Sequence, residues 1–226
     1  VRVSDDSPSR RGAGAAARPR PTARIGPLPV PAAKVLLFCL GLVPLARWVW
    51  LGVNGGLTAN PQEFLLRSAG TWTFVCLLVT LAISPLRVWL RQPGLIRLRR
   101  MCGLFAFFYA CLHFLAYAGW DQGFDVPFIL ADIAERPFIA FGFVAFVLLI
   151  ALAATSPQAA MRRLGRHWQR LHRAIYAIGI LAIVHLYLHK AGKNDFQDVW
   201  WFGGVLAALL AWRIWRRYRV NPPPTR

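Results

Sequence analysis

A chain of 226 residues that is 57% hydrophobic yet carries a formal net charge of +18 must hold its apolar and basic residues in separate segments. Its mean hydropathy of +0.44, and two stretches of about 20 residues without a formal charge at 101–120 and 137–156, exclude a soluble basic protein that binds nucleic acid. The composition is that of a multi-pass membrane protein.

Residues 1 to about 33 are rich in Arg, Ala, Pro and Gly without periodicity, and they read as a disordered basic cytoplasmic tail. Arg10 and Arg11 hint at a twin-arginine signal, but the bulky apolar residues that should follow are missing from residues 12–17. Six spans are expected next, at 35–53, 71–86, 101–120, 137–156, 172–189 and 199–213. The sixth is short and extends through Arg213 and Arg216 if their heads snorkel to the interface. The fold expected is an all-α integral membrane protein, a six-transmembrane-helix bundle over 34–218 with both termini cytoplasmic and a cytoplasmic tail at 219–226. Cys39, Cys76, Cys102 and Cys111 fall inside apolar runs with no CxxC spacing, so they read as packing residues.

Orientation follows from charge. Arg87, Arg91, Arg97, Arg99 and Arg100 lie between spans two and three, and Arg162, Arg163, Arg166, Arg170 and Arg173 lie between four and five, which makes both loops cytoplasmic. Headgroup contact accounts for most of these arginines. Glu63, Asp121, Asp125, Asp132, Glu135, Asp195 and Asp198 all fall in the three opposite loops. Arg47 is the one formal charge well inside a span, and it reads as snorkelling outward or neutralising a propionate.

His113, His172 and His185 sit in or at the mouth of the uncharged segments, where an imidazole is costly without a partner. At 1.5 Å per residue His113 lies about 18 Å along span three, past the midplane toward the outer face, and span five brings His185 to a similar height. Two imidazoles at one depth on different helices can clamp a porphyrin as a six-coordinate b-type haem with no open site for oxygen. Gly103, Ala106, Ala110 and Ala116 make a small-residue stripe beside His113, suited either to a flat macrocycle or to plain helix packing, and Gly203, Ala207 and Ala211 make a packing seam on span six. His172 is 13 positions before His185, about 140° away around an ideal helix, so the two share a face only if a π-bulge or a bend near Gly179 intervenes. It reads either as a ligand on the cytoplasmic side or as an interfacial histidine satisfied by headgroups or a backbone carbonyl. His167 lies in a basic loop. His189, one turn beyond His185, stands within reach of the same haem edge.

The run Arg99-Arg100-Met101-Cys102-Gly103-Leu104, with Tyr109, Leu112-His113-Phe114 and Tyr117, resembles the third-helix signature of the MsrQ (YedZ) family, the haem-bearing membrane subunits of periplasmic methionine sulfoxide reductase systems. Asn54-Gly55-Gly56-Leu57 with Gly70, Glu135-Arg136-Pro137 with Gly142, and the stretch from Met161 through Trp168, His172 and Tyr176 to His185 fit the same family, in order, over about residues 34–190. The resemblance extends to the ferric-reductase-like transmembrane superfamily, whose haem ligands sit on the third and fifth helices. It implies His113 and His185 as a haem b pair, His172 as a further haem-associated histidine with a possible second haem, and FMN binding without an assignable residue. The superfamily's usual second histidine on the third helix is absent from this chain.

No loop has room for a nucleotide-binding module, and there is no GxGxxG, P-loop, catalytic triad or intramembrane carboxylate pair. The chain therefore moves electrons and converts no substrate itself. The leading expectation is a b-type cytochrome of the bacterial inner membrane, bathed in lipid, that carries electrons from quinol or a cytoplasmic flavin reductase to a periplasmic molybdopterin methionine sulfoxide reductase (MsrP-like) in repair of oxidised proteins. Asp121, Asp125, Asp132 and Glu135 on short outer loops are expected to steer that partner, and His172 with Arg163, Arg166 and Arg170 to form the cytoplasmic intake. The alternatives are a stand-alone ferric or quinol-linked reductase and, from another class, a haem-free transporter or scaffold.

Overall fold

The computed structural model describes residues 24–192 and 194–220. The expected disordered tail lies outside the described residues as far as residue 23, as does the Arg10-Arg11 pair. From Arg24 the chain is folded: β1 (Arg24–Ile25) and β2 (Leu28–Pro29) form an antiparallel hairpin, with Arg24 opposite Pro29. The hairpin docks on the short 3-10 turn Pro93–Leu98, where the Gly26 amide donates to Gln92 Oε1 at 3.0 Å. Gly94 is required there, since a Cβ would stand 2.5 Å from the Arg24 carbonyl oxygen.

Helix α1 (Val30–Val53) presents Val35, Phe38, Leu40, Val43 and Val49 outward, as a lipid-facing helix does. Helix α2 (Pro61–Trp89) starts ten residues before the expected span. Its start is polar: the Asn60 side chain accepts from the Glu63 amide at 3.1 Å, Pro61 occupies the first turn, and Glu63 pairs with Arg67 one turn on. Capping chemistry carries no hydropathy signal, so the outer loop shrinks from 54–70 to 54–60.

Helix α3 (Arg99–Ala116) ends in a π-helical turn, Tyr117–Asp121. An amphipathic helix α4 (Val126–Glu135), N-capped by Asp125 accepting from the Phe128 amide at 3.2 Å, occupies what was expected to be an open outer loop. Helix α5 (Pro137–Ala154) follows. The basic loop after it folds into α6 (Gln158–Leu164) and α7 (Arg166–Leu171), hinged at Gly165 with φ +47°. Helices α8 (Ala174–Ala191) and α9 (Gln197–Val220) complete the bundle. Five helical segments are long and apolar enough to cross a membrane: Val30–Val53, Pro61–Trp89, Pro93–Asp121, Pro137–Ala154 and Arg166–Ala191. Helix α9 has the length, at 24 residues, but carries Asp198, Arg213, Arg216, Arg217 and Arg219 and is not among the five.

The closest helix pairs are α2 with α3 and α5 with α8. Their shared core includes Leu77, Leu81, Ala106, Leu149 and Ile178, with Leu206 of α9 inserted against Gly179. The stripe on α3 is thus a packing seam: Ala106 and Ala110 are buried among these residues, and Gly103 faces Thr80. The seam expected on α9 is different from the one observed. Ala207 and Ala211 are exposed, and the contact is made by Leu206 and by Gly203 against Ile183. A second cluster joins α1 to α2 and α3 through Trp48, Ala69, Phe105 and the fully buried Tyr109. Within it Tyr109 donates to the Gly41 carbonyl at 2.6 Å and the Trp48 indole to Ser68 Oγ at 3.0 Å, bonds worth on the order of 0.6 kcal/mol each between membrane helices. The cysteines form no disulfide; Cys102 is buried, Cys76 and Cys111 are half-buried, and Cys39 is exposed.

Candidate functional site

His113 on α3 and His185 on α8 face each other with ring centroids 6.2 Å apart and ring planes at 80°. Each imidazole is held from behind by a backbone carbonyl on the neighbouring helix: His113 Nδ1 to Leu66 O at 2.9 Å, and His185 Nδ1 to Phe138 O at 2.6 Å. A carbonyl oxygen only accepts, so Nδ1 carries the proton in both rings and the Nε2 lone pair is left for a ligand. That is the arrangement by which metal-ligating histidines are oriented.

Both carbonyls belong to helices, and both are accessible for the same reason. One turn beyond Leu66 is Gly70, and one turn beyond Phe138 is Gly142. In a helix the side chain at i+4 stands over the carbonyl of residue i, so glycine there leaves room for an imidazole. A Cβ on Gly70 would lie 3.1 Å from His113 Cε1, and one on Gly142 would lie 2.8 Å from His185 Nδ1. Each histidine follows its carbonyl by 47 residues. The register extends along the helices: Glu63, Gly70, Phe74, Leu77, Ser84 and Pro85 recur in step as Glu135, Gly142, Phe146, Leu149, Ser156 and Pro157. Each half of the site is therefore built alike, from one helix that offers a carbonyl and a glycine and another that carries the histidine. The acceptor carbonyls and glycines were not singled out from the sequence as site residues, although comparing the chain with itself at this register would have revealed them.

The pair fits a haem iron. His113 and His185, on different helices and 6.2 Å apart between ring centroids, would hold it through the Nε2 atoms that their Nδ1–carbonyl bonds leave free. Phe138 borders His185 at 6.0 Å and His189 at 5.6 Å between centroids, while Phe114 stacks on Phe146 at 4.9 Å. His189 thus shares an aromatic neighbour with the pair.

The structure does not bring His172 to this pair. It caps α7, in the turn before α8, and α8 runs as an uninterrupted α-helix from Ala174 to Ala191, so no π-bulge near Gly179 brings His172 onto the face of His185. The π-helical turn present lies after His113, at Tyr117–Asp121. The His172 ring stacks on Trp168 at 4.0 Å, with Nδ1 3.2 Å from the Trp168 carbonyl oxygen, and the Trp168 indole donates to Thr155 O at 2.9 Å. His167 is exposed, as are Arg163, Arg166 and Arg170. Arg47 is exposed and directed at the Phe64 ring, 5.9 Å from its centroid, at the outer start of α2.

In the connection between α3 and α5, Asp132 is buried. It accepts from Tyr117 Oη at 2.7 Å and Gln122 Nε2 at 3.0 Å and pairs with Arg136 at 2.8 Å. It fastens α4 to the end of α3 and is not an exposed steering acid, whereas Asp121, Asp125 and Glu135 are exposed. No group of three or more potential ligands that could hold a bare metal ion occurs among the described residues.

The family described as ferric reductase like transmembrane component matches residues 69–183, a stretch that contains His113 and His172 and stops just short of His185. The chain is 66% identical over 187 residues, 81% of its length and 91% of the relative, to a protein-methionine-sulfoxide reductase heme-binding subunit MsrQ of Bordetella pertussis. It is 51% identical to the protein of that name in Ralstonia nicotianae, over 83% of this chain and 87% of the other. The one in Xanthomonas euvesicatoria pv. vesicatoria is 43% identical, over 85% and 94%. No solved structure matches. This chain belongs to the ferric reductase like transmembrane family and, within it, to the MsrQ group of multi-pass membrane proteins.

Proposed function

We propose that this protein is a six-span b-type cytochrome subunit of the bacterial inner membrane. It carries electrons from quinol or a cytoplasmic flavin reductase to a periplasmic molybdopterin methionine sulfoxide reductase. One observation carries the reading: two imidazoles from different spans, each with Nδ1 committed to a carbonyl, face each other with ring centroids 6.2 Å apart. Haem held between two imidazoles exchanges single electrons without an open coordination position. The work of the chain is to hold His113 and His185 in that tautomer and orientation, and to keep water from them with Phe114, Phe138 and Phe146.

Membrane sidedness is read from charge, with the arginine-rich connections inside and Asp121, Asp125, Glu135, Asp195 and Asp198 outside. Helix α9 is the sixth span in this reading, which returns the C-terminus to the cytoplasm. Electrons leave on the outer side, where the exposed acids steer a basic partner. They arrive on the inner side, where His172 serves a second haem or a flavin or quinone; FMN enters this reading only through the family resemblance.

Membranes containing this chain and a methionine sulfoxide reductase partner are expected to reduce methionine sulfoxide at the expense of quinol or a flavin reductase. Equal partner reduction by membranes carrying H113A and H185A together would remove this protein as the electron source. The ferric-reductase-like family match favours a second reading, a stand-alone ferric reductase. Reduction of ferric citrate at the same rate without the partner would support it. The intake role is tested by H172A: unchanged haem content together with an unchanged rate of haem reduction would leave His172 an interfacial residue.

A further inference from the structure

Arg213 was expected to snorkel out of the sixth span, and the structure turns it inward. Its Nη2 donates to the Leu81 carbonyl of α2 at 2.7 Å, and its guanidinium lies over the Tyr176 ring of α8, 5.1 Å from the centroid. The Leu81 carbonyl is available because Pro85, four residues on, has no N–H to offer it. The other terminal nitrogen, Nη1, is buried and has no hydrogen-bond partner. A half-buried guanidinium that uses one arm on the protein and leaves the other, buried, arm unpaired is half of a binding fork.

The surroundings fix the charge of what it would hold. Arg99 begins α3 one turn before Gly103, which packs on Thr80 beside Leu81, and His172 stands one turn before Tyr176, so both lie at the same end of the bundle as Arg213. Among the described residues every Asp and Glu lies at the opposite end of the bundle, in or beside the α1–α2, α3–α5 and α8–α9 connections. No described side chain at this end can neutralise Arg213, and a cation inside a span is retained only with a partner.

We propose that Arg213, with Arg99 and His172, forms an anion site in the cytoplasmic half of the bundle that takes the carboxylate or phosphate group of an amphiphilic ligand. Two sources share this chemistry, a porphyrin propionate and a phospholipid phosphate. The site does not depend on the His113–His185 haem. Its assignment to the cytoplasmic side rests on the orientation proposed above, and its propionate source rests on the second haem proposed there for His172, whereas its phospholipid source does not.

Native mass spectrometry tests it, on the full chain extracted in detergent and reconstituted in phosphatidylcholine nanodiscs doped with phosphatidylglycerol. The wild type is expected to retain an anionic ligand, and R213Q to retain at least about tenfold less, the effect of losing a charge-assisted hydrogen bond. The absorbance of the His113–His185 haem should be unchanged in R213Q, which reports an intact bundle. R213K, with a point charge and no fork, should fall between the two. A porphyrin in excess of the outer haem, lost in R213Q, identifies the propionate, whereas phosphatidylglycerol lost in R213Q identifies the lipid. A wild type that retains no anionic ligand overturns the proposal, as does equal retention in wild type and R213Q. If R213Q does not assemble, the wild-type and R213K measurements decide. Absence of the outer haem with the anion still bound would count against the haem assignment alone.

Discussion

The His113 imidazole stands nearly perpendicular to that of His185, with 80° between the ring planes, because each ring is oriented by a carbonyl on a different helix. The orientation of the ligand planes is therefore a property of the backbone.

If His113 and His185 hold a haem iron in these orientations, the iron orbitals that share the unpaired electron would be nearly degenerate. The oxidised protein is accordingly expected to give a strongly anisotropic low-spin electron paramagnetic resonance signal, a lone low-field feature and not a three-line rhombic pattern. G142A should disturb it, since the new Cβ would come within 2.8 Å of His185 Nδ1 and force that ring to turn. G70A should act more weakly, with the closest approach at 3.1 Å. A rhombic wild-type spectrum, or one that G142A leaves unaltered, would contradict the geometry.

Under the proposed haem pairing, replacing His113 or His185 with Ala would remove one of the two residues that hold the iron, and each change is expected to abolish most of the low-spin absorbance. H167A, at an exposed position in α7, should leave the spectrum intact. Full six-coordinate spectra in both single variants would refute the pairing.

Reporter fusions after Arg100 and after Gln122 flank α3 and its π-helical turn, so they should report opposite compartments, with Arg100 inside. A fusion after Arg217 should agree with the first if α9 crosses the membrane. Agreement between the Arg100 and Gln122 fusions would remove the depth argument for the haem.

Asp132 satisfies Tyr117, Gln122 and Arg136 at once. D132A is expected to free α4 from the end of α3, at a cost of about 1.5–3 kcal/mol for the lost charged hydrogen bonds. Faster proteolysis within 122–136, with the haem spectrum retained, is the outcome that measures it. Equal proteolysis of wild type and D132A would show that α4 is held by other contacts.

Much of the molecule is written in local pattern. Five of the six apolar runs expected from the sequence correspond to helices long and apolar enough to cross a membrane, the arginine and acid bias suggests their sidedness, and depth counting brings His113 and His185 to one height, because rise per residue and hydropathy are properties of single helices. Helix starts within polar sequence are less visible: the Asn60 cap that begins α2 and the Asp125 cap that begins α4 act through single hydrogen bonds that no hydropathy average registers. The small residues on α3 were compatible with a macrocycle or with packing, and only the position of α2 and its Thr80 decides for packing. The acceptor carbonyls of Leu66 and Phe138 have no side-chain signature, and what makes them accessible is the glycine one turn later meeting a histidine from another helix. Arg213 reads as an interfacial cation until Pro85, distant in sequence, frees the Leu81 carbonyl that draws it inward. The apolar segments, the charge bias and the depth of the two histidines are thus set along the chain, whereas ring orientation, carbonyl access and the partner of a buried charge depend on which helices become neighbours.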